Sequence, residues 1–405
     1  MTASDTRALQ DAIDAKARVG GGTVRVAAGR YVTGALTLRS DITLELEAGA
    51  VLLGSEDPAD YPLVESRWEG RHQVTHAPLI GGNGLRNVAV TGRGTIDGRG
   101  TGWWKRHRER ANAHPRPRLI SIADSTNVLI EGIEAVNSPA WTINPVRCTN
   151  VTVTKVTIRN PSDSPNTDGI NPDSCRYVHI SDCHIDVGDD CITLKSGIET
   201  EDTDKRGPCE NITITNCTMA HGHGGVVLGS EMSGDVRNVV ISNCVFTETE
   251  CGIRIKTRRG RGGVIEDVRA TNIVMREVLL PFTVNLFYNA YRKGDPVVAD
   301  KRARPVDAGT PRVRRIRFGE ISAEDAQYAA AFLYGLPEMP IEDVSFRDVR
   351  IAMSPNAREG APRNFDDLEP MRRAGFIARN VRGLQLDGVE ISGQDGEQFV
   401  LEDVT

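Results

Sequence analysis

The chain has 405 residues, 39% of them hydrophobic, which is enough to bury a large core. A net charge of −6 argues against a general nucleic-acid binder, and no apolar run approaches the length of a membrane span. Aromatics are scarce at 5% and glycines number 40, a balance that suits short strands and many turns rather than helix packing.

The opening MTASDTRALQ lacks the basic-then-apolar layout of a secretory signal. As written, the sequence reads as a soluble, cytoplasmic protein, or a secreted one if a signal peptide has been removed. Residues 5–18 place Leu9, Ala12, Ile13 and Ala17 on one helical face. Ser4 or Asp5 is the candidate N-cap, and Gly20, Gly21 and Gly22 end the helix. One short amphipathic helix followed only by strands suggests a plug over the open end of a sheet stack. From Thr23 the period changes to two, in TVRVAAGRYVTG and then ALTLRSDITLELEAGAVLLGS.

A degenerate repeat then governs the chain. It appears as NVAVTGRGTI from Asn87, NVLIEGIEAV from Asn127, NVTVTKVTI from Asn150 and YVHISDCHI from Tyr177. It continues as NITITNCTM from Asn211, NVVISNCVF from Asn238, DVRATNIVM from Asp267, DVSFRDVRI from Asp343 and GLQLDGVEI from Gly383. Each unit is a turn residue followed by two short alternating strands with a bend between them. With Val128, Val151, Val178, Ile212, Val239 and Val268 taken as equivalent, the steps are 23, 27, 34, 27 and 29 residues. Such a period without intervening helices predicts an all-β fold, a parallel β-helix in a single domain over 1–405. An antiparallel sandwich would need hairpin turn pairs such as Asn-Gly, which are largely missing.

The cysteines give the same register. Cys183, Cys217 and Cys244 lie five residues after Val178, Ile212 and Val239, and Cys148, Cys175 and Cys209 lie three residues before Val151, Val178 and Ile212. Side chains stacked in a parallel ladder point the same way, so these thiols are predicted to be reduced core fillers rather than disulfide partners. No paired ligands stand at zinc spacing, and no metal or cofactor is expected. Residues 99–118, 198–208, 289–312 and 355–375 break the repeat and are predicted to be loop insertions, of the kind that build the walls of a cleft.

The stretch NTDGINPDSCRYVHISDCHIDVGDDC, residues 166–191, carries Asp168 and the pair Asp189 and Asp190. In a fold that coils every twenty-odd residues, this spacing stacks the three carboxylates on neighbouring turns, with strands about 4.8 Å apart. Clustered carboxylates push at least one pKa upward, which suits acid–base work; the plainer reading is that Asp-Gly and Gly-Asp are turn residues. Further on come His223 between Gly222 and Gly224, then Arg254 and Lys256, two apart on one strand face. The plainer readings there are a loop histidine in a Gly-rich turn and a solvated basic edge continued by Arg258, Arg259 and Arg261. His221 and His223 could also form a metal-binding pair, a weaker reading here.

The set Asn166-Thr167-Asp168, Gly188-Asp189-Asp190, Gly222-His223-Gly224 and Arg254-Ile255-Lys256, in this order, resembles the polygalacturonase family, glycoside hydrolase family 28, in a bacterial exo-acting form. The resemblance covers nearly the whole chain and implies a right-handed β-helix with an open cleft and a galacturonate-containing oligosaccharide or polysaccharide as substrate. It implies hydrolysis of α-1,4-galacturonan with inversion, Asp189 protonating the departing oxygen and Asp168 and Asp190 deprotonating the attacking water. Adjacent residues on a strand face opposite sides, so Asp189 and Asp190 can act together only at a bend, which Gly188 permits. By the same resemblance His223 tunes the acid, Arg254 and Lys256 bind the sugar carboxylate, and Tyr288, with Phe287 and Tyr291 nearby, is the candidate for a tyrosine one coil on. Asn166 would orient sugar or water, and Trp141 and Asn144 in PAWTINP would line the cleft, although relatives often have His where Asn144 stands.

The basic, Trp-containing insertion at 99–118 is placed to close one end of the cleft, which suggests exo-action on short galacturonides; its plainer reading is a solvated basic loop. Rival functions on the same fold are a rhamnogalacturonan or substituted-pectin hydrolase, a calcium-dependent pectate lyase and a non-catalytic polysaccharide-binding β-helix. The aspartate pair with His223 fits hydrolysis better than elimination, and mere binding leaves three clustered aspartates without a purpose.

Overall fold

The repeat read from the sequence is the strand register of the computed structural model, which describes residues 5–202, 206–290 and 292–405. The chain divides into two units, 1–190 and 191–405, and each is right-handed parallel β-helix. In the first unit Val88 pairs with Val128, Val128 with Val151, and Val151 with Val178, all in parallel. In the second, Ile212 pairs with Val239, Val239 with Val268, and Val344 with Leu384.

The turn residue that opens each unit explains the repeat physically. Asn87, Asn127, Asn150, Tyr177, Asn211, Asn238, Asp267 and Asp343 all have φ between 49° and 59°. That left-handed region is costly for most residues and tolerated by Asn and Asp, whose short polar side chains bond locally. The asparagines also stack. Asn127 Nδ2 donates to Asn87 Oδ1 at 2.8 Å, Asn150 to Asn127 at 2.7 Å, and Asn238 to Asn211 at 3.1 Å. Inside the stack, Phe318 and Phe346 lie 4.6 Å apart, with Phe282 and Phe376 edge-on to Phe346.

One coil escaped the sequence pattern. The strand Arg312–Ala326 is a full unit, its Ile316 pairing with Val268 and Val344. Arginine occupies its left-handed position, with φ 57°. There Arg315 forks onto Asp267 of the preceding coil, at 2.9 and 2.8 Å, so an ion pair replaces the amide ladder.

The helix Thr6–Arg18 buries Ile13 and half-buries Leu9 and Ala17, while Ala12 is exposed. Ser4 lies outside the described residues. Asp5 stands at the N-cap position but does not cap, because its carboxylate accepts from Val32 N–H at 2.8 Å and ties the helix to the first strands. At the other end Gly20 N–H bonds Ala17 O and Gly21 N–H bonds Lys16 O, with Gly20 at φ 99°. This paired closure is the Schellman arrangement. Among the described residues no helix is long and apolar enough to cross a membrane.

Two further elements depart from the predicted plan. Residues 99–118 are not a loop throughout: Thr101–Arg108 is helical, with Trp103 and Trp104 buried. Trp103 packs edge-on against Tyr61 and His76, and Trp104 Nε1 donates to Ser138 O at 3.1 Å. Leu63–Trp68 and Arg71–His76 form an antiparallel hairpin with Glu69 and Gly70 at its tip. The insertion 289–312 holds a short helix, Pro296–Ala299, and Tyr291 lies outside the described residues, as do positions 203–205 of the 198–208 insertion. All eight cysteines are buried thiols; Cys148 N–H points at Cys175 Sγ on the next coil, 3.4 Å away.

Candidate active site

In the first unit the three aspartates are stacked by backbone bonds between coils. Thr142 N–H donates to Asp168 O at 2.8 Å, and Gly169 N–H donates to Asp190 O at 3.0 Å. Residues 141–142, 168–169 and 189–190 are therefore neighbours on three successive turns. Asp168 and Asp190 are buried, and Asp189 is half-buried. Asn171 Nδ2 donates to Asp168 Oδ2 at 2.9 Å, and Asp190 N–H donates to Asp189 Oδ1 at 2.9 Å.

The predicted bend is present. The strand His184–Val187 stops at Gly188, and Ile192–Leu194 starts two residues after Asp190. Glycine is needed there for space rather than for φ: a Cβ on Gly188 would lie 2.4 Å from Ser164 O and 2.7 Å from Pro161 O. Gly188 N–H also donates to Thr167 Oγ1 at 3.2 Å, which ties the bend carrying Asp189 to the turn carrying Asp168.

Asn166 is a turn residue with φ 55°, and both ends of its amide are engaged. Its Oδ1 accepts from Arg116 Nη2 at 2.6 Å, and its Nδ2 donates to Glu69 Oε1 at 3.0 Å. Arg116 is a residue that sequence reasoning missed, lost among the arginines and lysines of 99–118. Burial pushes its guanidinium down to about 10, while the charges of Glu69, Asp189 and Asp168 pull it back up.

Two predicted lining residues are corrected. Trp141 is 3% exposed, stacked on Trp68 with ring centres 4.9 Å apart, and Arg118 lies over it. Its ring is covered by the hairpin and offers no open face to a sugar. Asn144 is 1% exposed and donates to Asn171 O at 2.7 Å. It holds the turn after Asp168 instead of lining a cleft.

The second unit gathers the other predicted residues. Arg254 and Lys256 lie in the strand Cys251–Lys256, and both cations sit over the ring of Tyr288, at 5.6 and 5.3 Å. Arg254 Nη1 donates to His223 O at 3.2 Å, so the half-buried His223 belongs to the same cluster. The Tyr288 hydroxyl accepts from Asn364 Nδ2 at 3.0 Å, which brings the 355–375 insertion to the cluster. Phe287, the neighbouring alternative, is buried under Arg259 and Lys301. The run Arg258, Arg259 and Arg261 is no solvated edge: all three are buried, with Arg258 and Arg261 on Glu199 and Arg259 on Glu338. A buried guanidinium requires a fixed partner, and the acidic residues that supply it lie far off in sequence.

The profile described as "Glycosyl hydrolases family 28" matches residues 23–362. The chain belongs to glycosyl hydrolase family 28. A "Probable polygalacturonase" of Vitis vinifera is 35% identical over 375 residues, covering 90% of this chain and 74% of the relative. An "Endo-polygalacturonase" of Pectobacterium carotovorum subsp. carotovorum is 30% identical, covering 66% of this chain and 69% of the relative. The chain spans about half the length of some other curated polygalacturonases that it matches. Among solved structures, the exopolygalacturonase of Thermotoga maritima superposes with a TM-score of 0.79 at 28% identity, covering 96% of this chain and 88% of that one. Family membership makes the chain a glycosidase, and relatives of similar identity carry both endo and exo names.

Proposed function

We propose that this family 28 glycosidase hydrolyses α-1,4-linked galacturonic acid in pectin-derived oligosaccharides, with inversion and from the chain end. The observation that carries the reading is the stacking of Asp168 on the Asp189-Asp190 bend by the bond from Gly169 N–H to Asp190 O. Asp189, the most accessible of the three, is the general acid that protonates the departing glycosidic oxygen. Asp168 and Asp190 bind and deprotonate the water that attacks from the opposite face. Carboxylate oxygens of Asp189 and Asp190 lie within 4.8 Å of each other, closer than the roughly 6.5–9.5 Å between acid and base carboxyls of an inverting hydrolase. In this reading Asp168 is therefore the base set against Asp189, and Asp190 helps to hold the water. Arg254 and Lys256, held over Tyr288, bind the sugar carboxylate, where a guanidinium fork and an ammonium suit an anionic ring.

Exo-action is supported by the hairpin Leu63–His76 more than by the insertion at 99–118. Its tip residue Glu69 bonds Asn166, two residues before Asp168, and its Trp68 covers Trp141. A long polymer running past the aspartates would meet this hairpin. The test is the product profile from oligogalacturonides, with wild type and Asp189→Asn compared. Saturated monomer from the first minutes, abolished in the variant, is the expected result. Early intermediate oligomers would mean endo-action, and an unsaturated product would overturn the hydrolytic mechanism. Turnover of rhamnogalacturonan fragments alone would move the substrate assignment.

A further inference from the structure

Arg116 is almost completely enclosed beside the aspartates, at 2% exposure. Its Nη1 donates to Pro139 O and to Pro165 O, each at 2.7 Å, and its Nη2 donates to Asn166 Oδ1 at 2.6 Å. One planar fork therefore pins the turns that precede Trp141 and Asp168. Asn166 passes the hold on to Glu69 of the hairpin tip. Charged groups face Arg116 from several elements: Glu69 from the hairpin, Asp168 and Asp189 from the two aspartate turns, and Arg108 and His107 from the helix Thr101–Arg108.

We propose that Arg116 is a positioning residue of the hydrolytic site, whose guanidinium fixes Asn166 and the Asp168 turn and serves as the buried counter-charge of Asp168 and Asp189. The inference rests on the assignment of those two aspartates as base and acid. A fixed cation favours the ionised form of both carboxyls. Without it both titrations rise, the base ionises later and the acid keeps its proton to higher pH. Both limbs of the activity profile then move in the alkaline direction. Glu69 opposes this effect, so removing its charge moves both limbs the other way.

The deciding experiment is a pH titration of protein labelled with carboxyl-13C aspartate, followed by NMR without substrate and paired with kcat/KM profiles on trigalacturonate. Arg116→Gln is expected to raise the Asp168 and Asp189 titrations by about half to one pH unit. Glu69→Gln, which keeps the bond from Asn166 to Oε1, is expected to lower them. Arg116→Lys keeps the charge, so its titrations stay near wild type; because one ammonium cannot span three acceptors, its kcat falls about tenfold. If Arg116→Gln does not fold, the lowered titrations of Glu69→Gln together with the near-wild-type titrations and reduced kcat of Arg116→Lys still decide. Unshifted titrations in Glu69→Gln, or a wild-type kcat in Arg116→Lys, would overturn the inference while leaving the hydrolase reading intact. Shifted titrations in an enzyme that hydrolyses no galacturonide would sink the hydrolase reading alone.

Discussion

Gly188→Ala should separate activity from stability. The added Cβ would meet Ser164 O at 2.4 Å, Pro161 O at 2.7 Å and Ser164 Oγ at 2.8 Å, whereas ordinary contact begins at 3.4 Å. Two of these atoms are backbone carbonyls in a turn that Ser164 and Thr167 hold together, with their hydroxyls 2.6 Å apart. The bend carrying Asp189 and Asp190 must therefore retreat by about 1 Å, roughly twice the tolerance of a catalytic constellation. Overpacking of this kind costs about 1–3 kcal/mol, which a chain of this size survives. A misplacement of 1 Å costs on the order of 100-fold in rate. The assay is initial-rate hydrolysis of trigalacturonate with kcat and KM resolved, beside a thermal unfolding curve. The expectation is a folded protein with kcat down about 100-fold. Gly207→Ala is the control, since a Cβ there meets nothing within 4 Å. A folded Gly188→Ala protein with wild-type kcat would refute the claim that this contact sets the aspartate geometry.

Three further predictions concern the scaffold and the second unit. Asn127→Ala loses ladder bonds to both Asn87 and Asn150 at a position with φ 58°; a loss of about 1–2 kcal/mol is expected in denaturant melts, with Asn127→Gly milder than Asn127→Ala. Glu338→Gln removes the anion that forks onto Arg259 at 2.6 and 2.9 Å, and about 3 kcal/mol should be lost at pH 7. Burial pushes the Glu338 carboxyl up, but the Arg259 hydrogen bond and charge overcome it and leave it below its ordinary value. The unfolded state therefore binds the proton first. The gap between wild type and variant should be full above about pH 4.5 and should fade as the pH falls through the lower folded value. Tyr288→Phe keeps the ring beneath Arg254 and Lys256 but loses the acceptor for Asn364. KM should rise severalfold with kcat little changed, and an equal fall in kcat would contradict a purely binding role.

Much of the fold was legible because its signal is chemical and periodic. Asparagine recurs where the backbone needs a positive φ, valine or isoleucine follows on the inward face, and the predicted equivalence of Val128, Val151 and Val178 is the observed pairing. The coil at Arg312–Ala326 was hidden because Arg315 meets the same backbone demand through Asp267, outside the pattern. The hairpin Leu63–His76 was missed because Glu69 and Gly70 are not a customary hairpin pair, and the strands alternate only weakly. The site followed the same division. Short motifs with fixed spacing, such as Asn166-Thr167-Asp168 and Arg254-Ile255-Lys256, could be read locally. Roles that depend on distant partners could not: Trp141 looked available until Trp68, 73 positions earlier, was seen to cover it. Arg116 gave no sign of its place beside Asn166, and the arginines after Lys256 looked solvated without Glu199 and Glu338.

The most direct test of the central claim is 1H NMR of the first products from trigalacturonate, with wild type and Asp189→Asn side by side. The account predicts that wild type releases a new reducing end as the β-anomer before mutarotation, and that Asp189→Asn releases none. An α-anomeric first product, an unsaturated sugar, or undiminished turnover by the variant would contradict the assignment of Asp189, Asp168 and Asp190 as the machinery of an inverting hydrolase.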